Sequence, residues 1–468
     1  MPQRIAIVGA GFSGTLTAIN LLRIAAGWPL EVVLIEASGR PGRGVAYGTA
    51  RPEHLLNVPA GNMSALADDP DDFLRYCRWA DPAVGASSFV ARRRFGAYLE
   101  ALLGAAEMAA PDGVVFTRRT GAVQHIGPPS APGARATLRL AGGEAIEADR
   151  VVLATGHAPP AVPAAIPADV RDSARFVADP WCPGALDAIG PADDVLLLGS
   201  GLTAIDAVLS LHGMADDTHA PRTGRTTCVS RRGLVPTAHR ERRDTPDPEL
   251  GALVIEKMGS GTRAGLAAVR FAIERHAAAG RDWRDVIGAL RPHTPALWQR
   301  LPEAERRRFL RHVQPWWDMA RHRCAPAVHA RFQALRARGA VEVLAGRLIG
   351  AAFAGEGLAV RVRPRGGPAP GRVLHPRFVV NCTGPSTAPA AAPGPLLPSL
   401  LAAGLVRADA LGLGLDVNAE GALLDAEGRA SRWLHGIGPM LKARDWEAVA
   451  VPELRVHARR LAQRLLRG

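Results

Sequence analysis

Two short stretches constrain this chain more than anything else in it. Residues 4–14 read RIAIVGAGFSG, and residues 194–206 read DVLLLGSGLTAID. Each is an apolar run of strand length that ends in glycines and continues into an apolar, helix-compatible stretch. A strand that passes through a glycine turn straight into a helix opens a βαβ unit, and such units assemble into wound parallel sheets. Two openings in one chain predict an α/β protein with two doubly wound Rossmann-like lobes. RVVLATG at 150–156 and FVVNCTG at 378–384 are further strands of the buried type that enter glycine turns. The stretch 249–333 differs. It is rich in Arg, Ala and Trp and helical by pattern, and is read as a helical insertion. Proline and glycine clusters at 127–133 and 364–371 read as exposed turns or linkers.

The first glycine loop has the spacing of a dinucleotide fingerprint. Gly9 permits the tight turn, Gly11 lets the backbone approach a pyrophosphate, and Gly14 allows helix and strand to pack closely. Ser13 lies in the same first helical turn, whose amides and dipole favour phosphate. The following strand, LEVVLIE at 30–36, ends in Glu36, 22 residues after Gly14. A carboxylate there can accept both ribose hydroxyls of an adenosine.

The second loop repeats the turn with Gly199, Ser200 and Gly201, but Ala204 takes the third position. Its following strand, 226–230, ends without an acid, in Ser230-Arg231-Arg232-Gly233. A carboxylate would repel a ribose 2′-phosphate, whereas two guanidinium groups would hold it. The loop therefore suits NADPH better than NADH, the alternative being two solvated arginines.

Composition narrows the partners. The formal net charge is +13, and all but Lys257 and Lys442 of the 57 basic residues are arginine. They are spread along the whole chain in short groups such as Arg92-Arg93-Arg94, without the concentrated stripe and interleaved aromatics of a nucleic-acid module. No nucleic-acid partner is expected. No membrane span is expected either, because the uncharged stretch 385–406 carries five prolines and cannot form a spanning helix. An apolar strand begins after four residues, so no signal peptide is read. The five cysteines lie far apart with no Cys-x-x-Cys, which argues against a disulfide framework and a dithiol relay. The histidines lack ligand spacing, so no metal is expected. A cytoplasmic protein is the resulting expectation.

An acid-terminated site followed by an Arg-lined one is the order of flavoproteins that reduce FAD with NADPH. The chain resembles the FAD/NAD(P)-binding proteins related to class B flavin monooxygenases and amine N-hydroxylases. It is similar in particular to a bacterial branch with GxAYGT and HLLNVPAxxMSA stretches, here GVAYGT (44–49) and HLLNVPAGNMSA (54–65). Further matches are ATGH (154–157), SRRGLVPTAH (230–239), RHR (321–323) and PELR (452–455), so the resemblance spans the chain.

That resemblance implies FAD in residues 1–160 and 376–468, and NADPH in 161–375, which contains the insertion. It implies that Asn57, Asn62 and Met63 lie near the isoalloxazine ring, the two Asn amides being candidates for catalysis, although each serves equally well as a loop cap. Thr155 and Gly156 would link the lobes, with His157 read first as a turn residue. Gly438 would meet the ribityl chain, although Pro439 stands where many relatives place Asp. The helix beginning near Val451 would direct its amides at the flavin pyrimidine. Arg321 and Arg323, with His322 between them, are candidates for a substrate carboxylate, or equally for phosphate or surface contacts.

The activity implied is NADPH-dependent oxidation with molecular oxygen through a C4a-(hydro)peroxyflavin, N-hydroxylating an amine or amino acid. Two alternatives stay open: an NADPH:acceptor reductase or dehydrogenase that does not use oxygen, and a non-enzymatic flavin-binding interaction protein.

Overall fold

The computed structural model describes residues 2–214, 222–241, 248–259, 261–367 and 370–467. Gln3–Val8 (β1), Leu30–Glu36 (β2) and Val114–Thr120 (β3) open the first sheet. The chain then forms an antiparallel meander of Val123–Gly127 (β4), Ala136–Leu140 (β5) and Ala145–Ala148 (β6), and re-enters the sheet as Arg150–Leu153 (β7). The second sheet takes Phe176–Val177 (β8), Val195–Leu198 (β9), Thr226–Ser230 (β10), Val341–Ala354 (β11), Gly357–Pro364 (β12), Arg372–Leu374 (β13) and Phe378–Asn381 (β14). Ala422–Leu424 (β15) and Ala430–Gly436 (β16) return to the first.

The first sheet runs β15-β16-β7-β1-β2-β3, parallel apart from the edge strand β15. The second runs β13-β12-β11-β10-β9-β14-β8, parallel from β11 to β8. In each sheet the strand that feeds a glycine loop lies centrally, β1 between β2 and β7, and β9 between β10 and β14. Both loops therefore open at the carboxyl ends of the strands, where wound sheets bind ligands.

Alternation along β1 explains how the first sheet is covered. Ile5 and Ile7 pack with Leu16, Ile19 and Leu461 of the helices Phe12–Ile24 and Val451–Arg467. Ala6 and Val8 face the other way, onto Ile126, Leu138 and Ile146 of the meander. The glycine and proline cluster at 127–133 connects the antiparallel strands β4 and β5. In the one at 364–371, positions 368 and 369 lie outside the described residues, and the rest stands between the antiparallel strands β12 and β13.

The insertion is helical, with Thr262–Ala278, Trp283–Leu290, Thr294–Arg300, Glu303–His312 and Gln314–Arg321 lying between β10 and β11. The next helix, Pro326–Ala337, starts within the stretch read as insertion but packs Val328, Phe332 and Leu335 on the same core as Val195 and Leu197. It is the crossover helix into β11. Buried polar contacts tie the lobes together. Arg92 is paired with Asp206 at 2.8 Å, both nearly inaccessible. His54 Nε2 lies 2.8 Å from Ser210 Oγ. Asp206 and Ser210 belong to Leu202–His212, the helix that the second glycine loop feeds.

Candidate active site

The two glycine loops have the same frame. Gly9 and Gly199 have φ of +98° and +131°, the left-handed side that favours glycine. A Cβ at Gly9 would lie 2.4 Å from the Ala154 carbonyl oxygen, and one at Gly199 would lie 2.2 Å from that of Cys382. The residues just after the neighbouring strands β7 and β14 thus press on both first glycines. The second glycines face space. A Cβ on Gly11 would meet only Gly44 Cα, at 3.7 Å, and one on Gly201 would meet nothing within 4 Å. At both helix starts the N-cap residue is glycine, which offers the first-turn amides no side-chain acceptor. A backbone cradle with exposed amides fits a pyrophosphate at each loop.

Around the first loop, Ala10 N donates to Glu36 Oε2 at 2.7 Å, and the Ser38 amide and hydroxyl donate to Oε1 at 2.9 and 2.8 Å. Glu36 thus stands at the loop, as the spacing predicted. Gly438 has φ +98°, and a Cβ there would lie 3.1 Å from Ser13 Oγ. The Gly-Ile-Gly-Pro turn therefore closes on the first helical turn. Thr155 and Gly156 follow β7, and Gly156 (φ +71°) faces open space.

The second loop borders a cleft of about 840 Å³ lined by Gly199, Ser200, Gly201, Arg231 and Arg232. Ser200 Oγ is 2.7 Å from Ser230 Oγ, which also accepts from Gly233 N at 3.0 Å. These bonds hold the arginine-bearing turn against the loop. Arg347 of β11 lines the same cleft. It stands two residues beyond Ala345, the register partner of Ser230, so a third guanidinium arrives through sheet pairing alone. Nothing in the linear sequence announces it.

A separate cavity of about 210 Å³ gathers Asn57, Asn62, Met63, Arg321, Arg323 and Val451. Six positions drawn from three distant parts of the chain thus share one wall. Val451 begins the helix Val451–Arg467, whose N-terminus opens here. His239 Nε2 lies 2.9 Å from the Asn57 carbonyl oxygen, tying the SRRGLVPTAH stretch to this loop. Arg321 forms a two-point pair with buried Glu447, at 2.8 and 3.2 Å. Arg291, unforeseen from the sequence, does the same with Glu453, at 2.6 and 2.8 Å. The Arg321 fork is thus largely spent on Glu447, and what remains for a ligand is a partial set of donors.

His322 lines both the cleft and the cavity. Burial, then the Arg321, Lys442 and Arg291 cations, push its imidazole down to about 3, although 32% of the side chain stays accessible. It is therefore neutral at ordinary pH and able both to accept and to donate.

Residues 6–158 match the FAD-NAD(P)-binding family model. No curated protein matches the chain. Solved structures that resemble it over essentially full length include the following three. Ornithine N-hydroxylase from Kutzneria sp. 744, whose structure carries reduced FAD, NADP⁺ and L-ornithine, is 16% identical with a TM-score of 0.61, over 100% of this chain and 99% of that one. Ornithine hydroxylase from Pseudomonas aeruginosa is 16% identical with a TM-score of 0.64, over 100% and 99%. L-lysine 6-monooxygenase from Pseudomonas syringae is 17% identical with a TM-score of 0.61, again over 100% and 99%. At such identities the likeness is one of fold. The chain has the two-lobed, Rossmann-type flavoprotein fold of these proteins, with residues 6–158 matching an FAD-NAD(P)-binding unit.

Proposed function

We propose that the protein is an NADPH-dependent FAD monooxygenase that hydroxylates the nitrogen of a small amine or amino acid. The observation that carries this reading is the shared wall at His322. One short helix, Gln314–Arg321, and the residue after it border both the Arg-lined cleft and the cavity at Asn57, Asn62 and Met63. A nicotinamide reaching inward from the cleft and a flavin ring beside Met63 would meet there. The joining of β15 and β16 to the first sheet supports FAD binding by 1–160 together with the C-terminal segment, whereas β14 (378–381) pairs with β9, so the NADPH-holding part runs beyond 375 to include it.

Each group then has a role in binding or positioning. The amides after Gly11 hold the FAD pyrophosphate, and Glu36 accepts the ribose hydroxyls. Arg231 and Arg232, joined by Arg347, hold the 2′-phosphate. The Asn57 and Asn62 amides orient the reacting end without introducing an acid. When bound and reduced by NADPH, FAD supplies the activation of molecular oxygen. The cavity's contribution is exclusion of water around that chemistry. Among the described residues no helix is long and apolar enough to cross a membrane, and all five cysteines are free, which supports a cytoplasmic setting.

The test is to reduce the FAD-loaded protein with NADPH under argon, admit oxygen with candidate amines, and measure hydroxylamine and hydrogen peroxide per NADPH consumed. Hydroxylamine formed in step with NADPH supports the reading. NADPH oxidation that needs another acceptor transfers the protein to the reductase class. No reduction of the flavin at all leaves only the binding-protein alternative.

A further inference from the structure

We infer that Arg347 is the residue that most decides between NADPH and NADH, its guanidinium holding the 2′-phosphate more fully than that of Arg232 in the Ser-Arg-Arg turn. The inference rests on the reading that the Arg-lined cleft receives NADPH. Arg232 has already spent one donor. Its Nη2 donates to the Arg311 carbonyl at 3.1 Å, in the last turn of Glu303–His312. That bond ties the turn to the helical insertion. Arg347 lines the same cleft and is exposed, and among the described residues its guanidinium has no hydrogen bond or ion pair. Its whole fork is open to a ligand, and a fork of that shape matches two phosphate oxygens at once.

Sheet geometry sets where that fork stands. Ser230 and Ala345 are register partners on the parallel strands β10 and β11, so their side chains share a face. That face carries the glycine loop, because Ser230 Oγ lies 2.7 Å from Ser200 Oγ. Side chains two residues apart on a strand point the same way, which puts Arg347 on this face as well. The spacing is fixed by contact. Gly233 has φ +63°, and a Cβ there would lie 3.1 Å from Ala345 Cβ and 3.3 Å from Ala345 N. The turn bearing Arg231 and Arg232 is thus seated on β11, two residues before Arg347. A second observation calls for an anion. Arg347 lies directly opposite Arg363 in the antiparallel pairing of β11 with β12. Both are exposed, and neither has an acidic partner among the described residues. Like charges so placed repel, and a bound phosphate relieves them. The one carboxylate on the cleft's lining, Asp318, stands 3.7 Å from His322 and forms no ion pair with Arg231, Arg232 or Arg347.

The test is calorimetric titration of the full-length, FAD-loaded protein with adenosine 2′,5′-bisphosphate and with 5′-AMP, two probes that differ only in the 2′-phosphate. The protein is expected to prefer the bisphosphate. Arg347→Ala should cut that preference by about tenfold to a hundredfold, the worth of charged hydrogen bonds to one group, with 5′-AMP affinity and flavin content retained. Arg347→Lys keeps the charge without the fork and should recover part of the loss. Arg232→Ala should cost less than Arg347→Ala. Arg361→Ala removes an exposed arginine of β12 that does not line the cleft, and should leave the preference unchanged. An undiminished preference in Arg347→Ala overturns the assignment. So does an equal loss in Arg361→Ala, which would mean a diffuse field, or a larger loss in Arg232→Ala. The titration needs neither NADPH oxidation nor oxygen. No preference in the unaltered protein would sink the NADPH reading of the cleft and this assignment together, whereas a preference that survives Arg347→Ala would sink this assignment alone.

Discussion

The two glycine loops make a controlled comparison within one molecule. Their first glycines are equivalent down to the carbonyl that presses on each, from Ala154 in one case and Cys382 in the other. Their second glycines both leave the cradle clear. The loops part at the third position and at the end of the next strand. A Cβ at Gly14 would lie 1.9 Å from the Gly9 carbonyl oxygen, whereas the second helix carries a real Cβ at buried Ala204. Glu36 bonds back to the first loop, while Ser230 and two arginines stand at the second. The shared features build the turn. The divergent ones set how tightly helix and strand pack and, in the function proposed above, which sugar substituent is admitted.

The comparison can be broken most severely at its third position. Gly14→Ala forces the Gly9 carbonyl to move, and the variant is expected to purify with little or no FAD, read from flavin absorbance per chain. Next comes the helix that the second loop feeds. Asp206→Ala leaves Arg92 buried without its carboxylate, and a loss of about 3–5 kcal/mol is expected in denaturant unfolding. An unchanged midpoint would show that the two lobes do not rely on this pair.

A smaller effect sharpens the contrast of ligands. Arg231→Ala with Arg232→Ala removes charge-assisted bonds worth about 1.5–3 kcal/mol each, so the preference for NADPH over NADH should fall by about a hundredfold or more. Flavin reduction kinetics measure this, and an unaltered ratio would assign the 2′-phosphate elsewhere. Acid should loosen the first sheet through one buried group. His435 is buried on β16, and its imidazole is pushed down to about 4 by burial, then by Arg150. With an unfolded value of about 6.5, the unfolded chain takes up this proton first. Stability is intact above that pH and declines as pH falls towards 4. Hydrogen exchange of the first sheet should quicken over that range, and His435→Gln should flatten the dependence. The mildest change is Ala204→Gly, which costs about 1 kcal/mol of helix propensity and should leave NADPH binding intact.

What was legible in the sequence is what local pattern encodes. The strands 30–36 and 226–230 run between the expected ends because a short apolar run followed by an acid or by Ser-Arg-Arg is self-contained information. The meander β4–β6 escaped notice because its half-buried strands pair only with one another and show no distinctive motif. The crossover helix Pro326–Ala337 reads locally like its helical neighbours, and only its packing on Val195 and Leu197 separates it from them. Arg347 and Arg291 reach the site through sheet register and helix docking. Asn57, Asn62, Arg321 and Arg323 were singled out through a family likeness, and what sequence could not supply is that Glu447 already engages Arg321.

One short helix, Gln314–Arg321, serves as partition for three rooms: the Arg-lined cleft, the cavity at Asn57 and an apolar cavity inside the insertion. A close-packed wall cannot give way on one side without advancing on another. A residue enlarged on any face of this helix would therefore press on all three spaces at once.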